Sequence, residues 1–112
     1  MDISQALVNM IKSELTPKVF STGSKGFHGS AKITVDGVRY QCQAQAVLVG
    51  SKQDPNAVVR ATTEEMGAAL SGLLEDLQPR TFSSGKTGFR ADGKVEAHGQ
   101  RFQSSVQAVR LA

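Results

Sequence analysis

The sequence predicts an α+β fold: an α-β-β-β unit written twice, with two helices packed on about six antiparallel strands in pseudo-two-fold symmetry. Three observations carry that expectation. First, "VFSTGSKGFHGSAKITVDGVRYQCQAQAVLV" aligns without a gap to "TFSSGKTGFRADGKVEAHGQRFQSSVQAVRL". The offset is constant, 82 − 20 = 62 for Phe20 and Phe82, and Arg39 and Arg101 share it. Second, apolar residues at helical spacing precede each copy. Third, the residues after each copy's glycine-rich stretch alternate with the period of a half-buried strand. Two copies are too few for a solenoid, so one domain over 1–112 is expected, with repeat one at 1–50, a linker at 51–62 and repeat two at 63–112.

The first helix is expected over residues 3–15, where Ile3, Leu7, Met10, Ile11 and Leu15 share a face. Asp2 or Ser4 can cap it and Pro17 stops it. A short strand at Lys18–Thr22 and a glycine-punctuated turn follow. Ala31, Ile33 and Val35 then alternate with Lys32 and Thr34, a second strand. Gly37 in "VDGVRY" marks a tight turn into a longer third strand. There Val38, Tyr40, Cys42, Ala44, Ala46 and Leu48 face one way, and Arg39, Gln41, Gln43 and Gln45 the other.

The second copy repeats the plan. Thr62 and Glu65 form a capping box before a helix carrying Met66, Leu70, Leu73, Leu74 and Leu77. Pro79 ends it, a short strand is expected at Arg80–Ser84, and Gly99 in "AHGQRF" marks the matching turn.

A chain of 112 residues can bury roughly 60–70% of its unfolded surface. With no tryptophan, five phenylalanines and one tyrosine, its core must be mostly aliphatic. The single cysteine, Cys42, forms no internal disulfide and suits a reducing compartment. "MDISQALVNMIKSEL" lacks the basic start and apolar run of a signal peptide, and no stretch approaches membrane-spanning length, so a cytoplasmic protein without membrane contact is expected. The net charge of +3 and pI near 9.3 permit an anionic partner without requiring one.

Gly85-Lys86-Thr87 has the tail of a phosphate-binding P-loop. Arg80 stands where that motif needs its first glycine, and "FRADGKVEAHGQRFQ" after it is no helix. A turn between strands is the expected role. His28 and His98 are not equivalent under the offset and lack spaced partners, so no metal site is expected. Cys42 lies on an apolar strand face, and Glu14 and Asp76 sit at helix ends. No catalytic residue, cofactor or small-molecule substrate is expected, and the chain reads as a non-enzyme.

The polar side of a sheet needs no particular residue for folding, yet there the halves agree: Lys32 with Lys94, Arg39 with Arg101, Gln41 with Gln103, Gln45 with Gln107. Arg and Lys suit phosphates, and glutamines hydrogen-bond to base edges or sugars. Phe27 and Phe89 lie beside glycines, where a loop would offer them for stacking on bases or as lids over the sheet end. The loops add Lys25 and Lys86 and lead into Arg90. The expected function is association with single-stranded DNA or RNA, with little sequence specificity, through these thirteen residues. The alternative is a structural or protein-interaction module that forms a homodimer or higher oligomer, or docks a partner, through the same face or the sheet edges.

Residues 1–77 resemble in part the double-stranded RNA-binding domain. "KITVDGVRY", a further strand and "GSK" ahead of a later helix match its strand-turn-strand and the basic start of its helix. The resemblance implies lysines opening that helix; here "QDPNAVVRATTEE" intervenes, with Lys52 and Arg60 the only nearby basic residues. In architecture the paired sheet-plus-helix plan is similar to small single-strand nucleic-acid binders of the Whirly and transcription-coactivator type.

Overall fold

A computed structural model describes residues 2–111. Helix α1 spans Ile3–Glu14 and begins where the Asp2 carboxylate accepts the Gln5 amide at 2.8 Å. It buries Ala6, Leu7, Met10 and Ile11 along one face, and Leu15 turns the chain into extended backbone. Strand β1 (Thr16–Val19) follows at once, then β2 (Lys25–Val35) and β3 (Val38–Leu48). A single 3-10 turn at Ser51–Gln53 leads into the segment before α2 (Thr63–Leu73). The Thr62 and Glu65 side chains and backbones form the reciprocal capping box. After a second 3-10 turn, Leu74–Asp76, come β4 (Gln78–Thr81), β5 (Thr87–Ala97) and β6 (Gln100–Arg110).

The six strands form one antiparallel sheet in the order β1-β2-β3-β6-β5-β4, with both helices above it, α1 over β2 and α2 over β5. The α+β expectation of two helices on six antiparallel strands holds. Each strand of the second half starts and ends 62 residues after its counterpart, as 87 follows 25 and 97 follows 35. The long hairpins close through Asp36-Gly37 and His98-Gly99, all four at positive φ (49°, 79°, 53° and 72°). That double left-handed geometry matches the right-handed twist of the strands it joins. Within the sheet the halves join along β3 and β6, from Tyr40 opposite Arg110 to Leu48 opposite Phe102, and above it α1 packs against α2.

The core fills the space between helices and sheet. Leu7, Ile11, Phe27, Met66, Leu70, Phe102 and Val106 are its largest fully buried apolar side chains. Burying each such side chain contributes about 1.5–3 kcal/mol. Phe27 and Phe102 meet edge-on at 6.2 Å between ring centres.

Two expectations need correction. The short strands begin two residues earlier than predicted, at Thr16 and Gln78, because both are edge strands and tolerate Pro17 and Pro79 within them. The basic helix start implied by the double-stranded RNA-binding resemblance is absent, since Glu64 and Glu65 occupy the first turn of α2. The segment 51–62 is fixed to the second half, where the buried Gln100 side chain accepts from the Arg60 amide and donates to the Val58 carbonyl, both at 2.8 Å. Among the described residues, no helix is long and apolar enough to cross a membrane.

Candidate nucleic-acid interface

Residues paired across neighbouring antiparallel strands point to the same side of the sheet, so the register fixes what each face displays. Lys32 is opposite Gln41, Gln43 opposite Gln107, and Gln45 opposite Ser105. Gln107 in turn is opposite Arg90, and Gln103 opposite Lys94. These side chains all lie on the face away from the helices, and no described element covers it.

That face is strongly basic. It carries Lys18, Lys32, Arg39, Arg80, Arg90, Lys94 and Arg101 against only Asp92 and Glu96, a balance of +5. The rest of the molecule has eight carboxylates against six Lys and Arg, a balance of −2. A chain of net charge +3 is therefore polarised through its thickness, and its field is larger than the net charge suggests.

Nine of the thirteen predicted residues come together here: Lys32, Arg39, Gln41, Gln45, Arg90, Lys94, Arg101, Gln103 and Gln107. Gln43 joins them at the centre. The Arg90 guanidinium is held by two neighbours, its Nε donating to Asp92 Oδ2 at 3.0 Å and Nη1 to Gln107 Oε1 at 2.6 Å. Lys32, Arg39, Lys94 and Arg101 are exposed, and none takes part in an ion pair among the described residues. His28 lies on the same face between Thr16 and Gln45. Partial burial, and then the charge of Lys18, pull its pKa below the usual histidine value.

The other four residues lie elsewhere. Phe27 is in β2, not in a loop. It points to the helix side at 1% exposure, so it is a core residue and no base can reach it. Phe89 is in β5, also on the helix side, tilted against Tyr40 at 6.3 Å between ring centres. Their flanking glycines serve close backbone approach within strands: a Cβ on Gly26 or Gly88 would stand 1.8 or 1.9 Å from the carbonyl oxygen of Ala46 or Ala108. Lys25 also turns to the helix side, where its ammonium donates to the Pro55 and Ala57 carbonyls at 3.1 and 2.5 Å. Lys86 sits in the turn between β4 and β5.

That turn settles the P-loop question. The Phe82 amide donates to the Lys86 carbonyl and the Gly85 amide to the Phe82 carbonyl, both at 2.8 Å, and Thr87 begins a strand. A phosphate loop opens a helix, and this segment opens a strand.

Comparison with protein-family models, curated proteins and solved structures finds no match.

Four residues escaped the sequence reading. Lys18 Nζ lies 5.5 Å from the centre of the Phe20 ring, and Arg80 Cζ lies 5.8 Å from that of Phe82. The signal was present in the matched "VFSTG" and "TFSSG", where Phe20 and Phe82 served only to align the halves.

Proposed function

We propose that this chain is a non-enzymatic nucleic-acid-binding protein that holds single-stranded DNA or RNA, with little sequence specificity, on the open sheet face. The charge division carries the reading: +5 on the uncovered face against −2 elsewhere. Lys and Arg flank a centre of Gln41, Gln43, Gln45, Gln103 and Gln107, an arrangement of phosphate contacts around adaptable hydrogen-bonding groups. The major groove of a duplex admits a helix or a two-stranded ribbon, whereas six strands side by side are about 24 Å across. A flexible single strand can follow such a surface. A cytoplasmic location, and independence of cofactors and small-molecule substrates, belong to the same reading.

We also read the two halves as copies of one ancestral unit, related by a pseudo-two-fold axis at the Ala44–Val106 pair. The shared offset of strand bounds, the equivalent glycines Gly26 and Gly88, and the equivalent positive-φ residues Asp36 and His98 support it. Each half then offers one Lys/Arg/Gln set to a polymer that itself repeats.

The rival role, self-association, meets two obstacles. Pairing this face with that of a second copy sets like charges against each other. Both edge strands are four residues long and carry a proline and a cation, Pro17 with Lys18 and Pro79 with Arg80, which blunts edge-to-edge pairing.

Fluorescence anisotropy with labelled poly-dT, a mixed DNA duplex and single-stranded RNA tests the reading. Binding should favour single strands and weaken with salt at a log–log slope of about −0.7 per phosphate contact. Arg39→Ala with Arg101→Ala should abolish it while barely changing the melting temperature. No binding at micromolar protein, or binding that survives the double change, removes this face from consideration.

A further inference from the structure

The open face carries no aromatic ring except His28, yet single strands are held most firmly where bases find a π-face. Two rings stand at its corners. Phe20 opens the turn joining β1 to β2, and Phe82 opens the turn joining β4 to β5. Both are half-buried and each has a cation from the open face over it. The same pair of backbone bonds fixes each ring. Phe20 donates to the Ser24 carbonyl at 2.8 Å and Gly23 donates back to Phe20 at 2.9 Å; at the second corner Phe82, Lys86 and Gly85 repeat the pattern.

The surface beside each ring is low and apolar. From the first corner a cross-strand row runs Lys18, Gly26, Val47; from the second it runs Arg80, Gly88, Val109. Val47 and Val109 lie on the open face, and the glycines leave bare backbone between them and the cations. The two corners are diagonal. β1 and β4 are opposite edges of the sheet, and the turns lie at opposite ends of β3 and β6.

We propose that Phe20 and Phe82 are paired base-stacking platforms that hold the two ends of a single-stranded nucleic-acid segment crossing the basic face from corner to corner. The inference rests on the reading of that face as a nucleic-acid interface. A base laid on either ring has an apolar floor beneath its neighbour and a cation within reach of its phosphate. A duplex, whose bases are stacked on one another, has no free π-face to offer, so the two rings select single strands.

The test uses the full chain with a labelled dT oligonucleotide, a single-stranded RNA and a duplex of equal length. Phe20→Leu with Phe82→Leu should weaken single-strand binding about tenfold or more, from the usual worth of base–aromatic stacking, with the salt slope and duplex binding unchanged. Arg39→Ala with Arg101→Ala should instead abolish binding. If the leucine variant binds like the parent, the platforms are wrong and the basic face stands; if the parent binds nothing, the face itself falls. Because the chain has no tryptophan, Phe82→Trp gives a single tryptophan signal that does not depend on the leucine variant folding. Single strands should quench it and duplex should not. Unquenched emission from a saturated complex overturns the proposal, and the DNA and RNA arms show which polymer stacks better.

Discussion

Gly88 and Ala108 lie so close across β5 and β6 that a Cβ on Gly88 would stand 1.9 Å from the Ala108 carbonyl oxygen, and Gly26 meets Ala46 in the same way at 1.8 Å. The obstacle is backbone on both occasions, so no side chain can swing aside. Gly88→Ala or Gly26→Ala should each lower stability by about 1–3 kcal/mol. Gly72 in α2 has nothing within 4 Å of its added Cβ, and Gly72→Ala should raise stability by about 0.5–1 kcal/mol. Thermal denaturation of the three variants checks the contrast; equal effects would mean that the strand contact is misplaced.

Acid should loosen the start of α2. Glu65 accepts the Thr62 amide at 2.8 Å and lies 3.2 Å from His98 Nδ1. The backbone bond first, and the histidine second, hold its carboxyl below the usual carboxylate range. A depressed carboxyl gives stability that is complete above its unfolded pKa and lost as pH falls through the folded one. The melting-temperature gap between the parent and Glu65→Gln should therefore be constant near neutrality and close at acidic pH. Thr62→Ala should cost about 0.5–2 kcal/mol at any pH where the cap is formed.

Cys42 should be inert in the native protein. It is fully buried, and burial pushes its thiol up to about 11, so the reactive thiolate is scarce at neutral pH. Labelling by a thiol reagent should track unfolding under denaturant. Rapid labelling without denaturant would contradict the burial.

His28 reports on the open face. Burial and Lys18 lower its pKa, so its proton is disfavoured in the fold and acidification through the histidine range costs stability. A phosphate laid beside it favours the proton instead. Its pKa, followed by NMR, should rise when single-stranded nucleic acid is added and when Lys18 is changed to Gln. An unmoved titration in the presence of bound polymer would place that polymer elsewhere.

The long strands and both helices were legible because their periods are long enough to read: six alternating apolar residues from Val38 to Leu48, and four buried positions on one side of α1. The basic face was legible for the same reason, since alternation fixes sides. Phe27 was not. Glycines on both sides suggested a turn, and only the approach of Ala46 shows why a strand needs Gly26. Lys25 failed similarly, because its contacts with Pro55 and Ala57 join segments that no local pattern connects. Pro17 marked the helix stop correctly, but not that an edge strand begins beside it.

The β3–β6 seam also sets the order of assembly. Each long hairpin closes across a two-residue turn, whereas Leu48 and Phe102 meet only after a loop of 102 − 48 = 54 residues has closed. Closure entropy is charged before any long-range contact repays it, so the hairpins are expected to form early and the β3–β6 zip late. Thr34→Ala, beside the turn of the first hairpin, should then slow folding, whereas Ala46→Gly in the seam should act mainly on unfolding; stopped-flow kinetics showing the reverse would put the nucleus in the seam. Until the seam closes, each long hairpin leaves one side of its innermost strand unpaired.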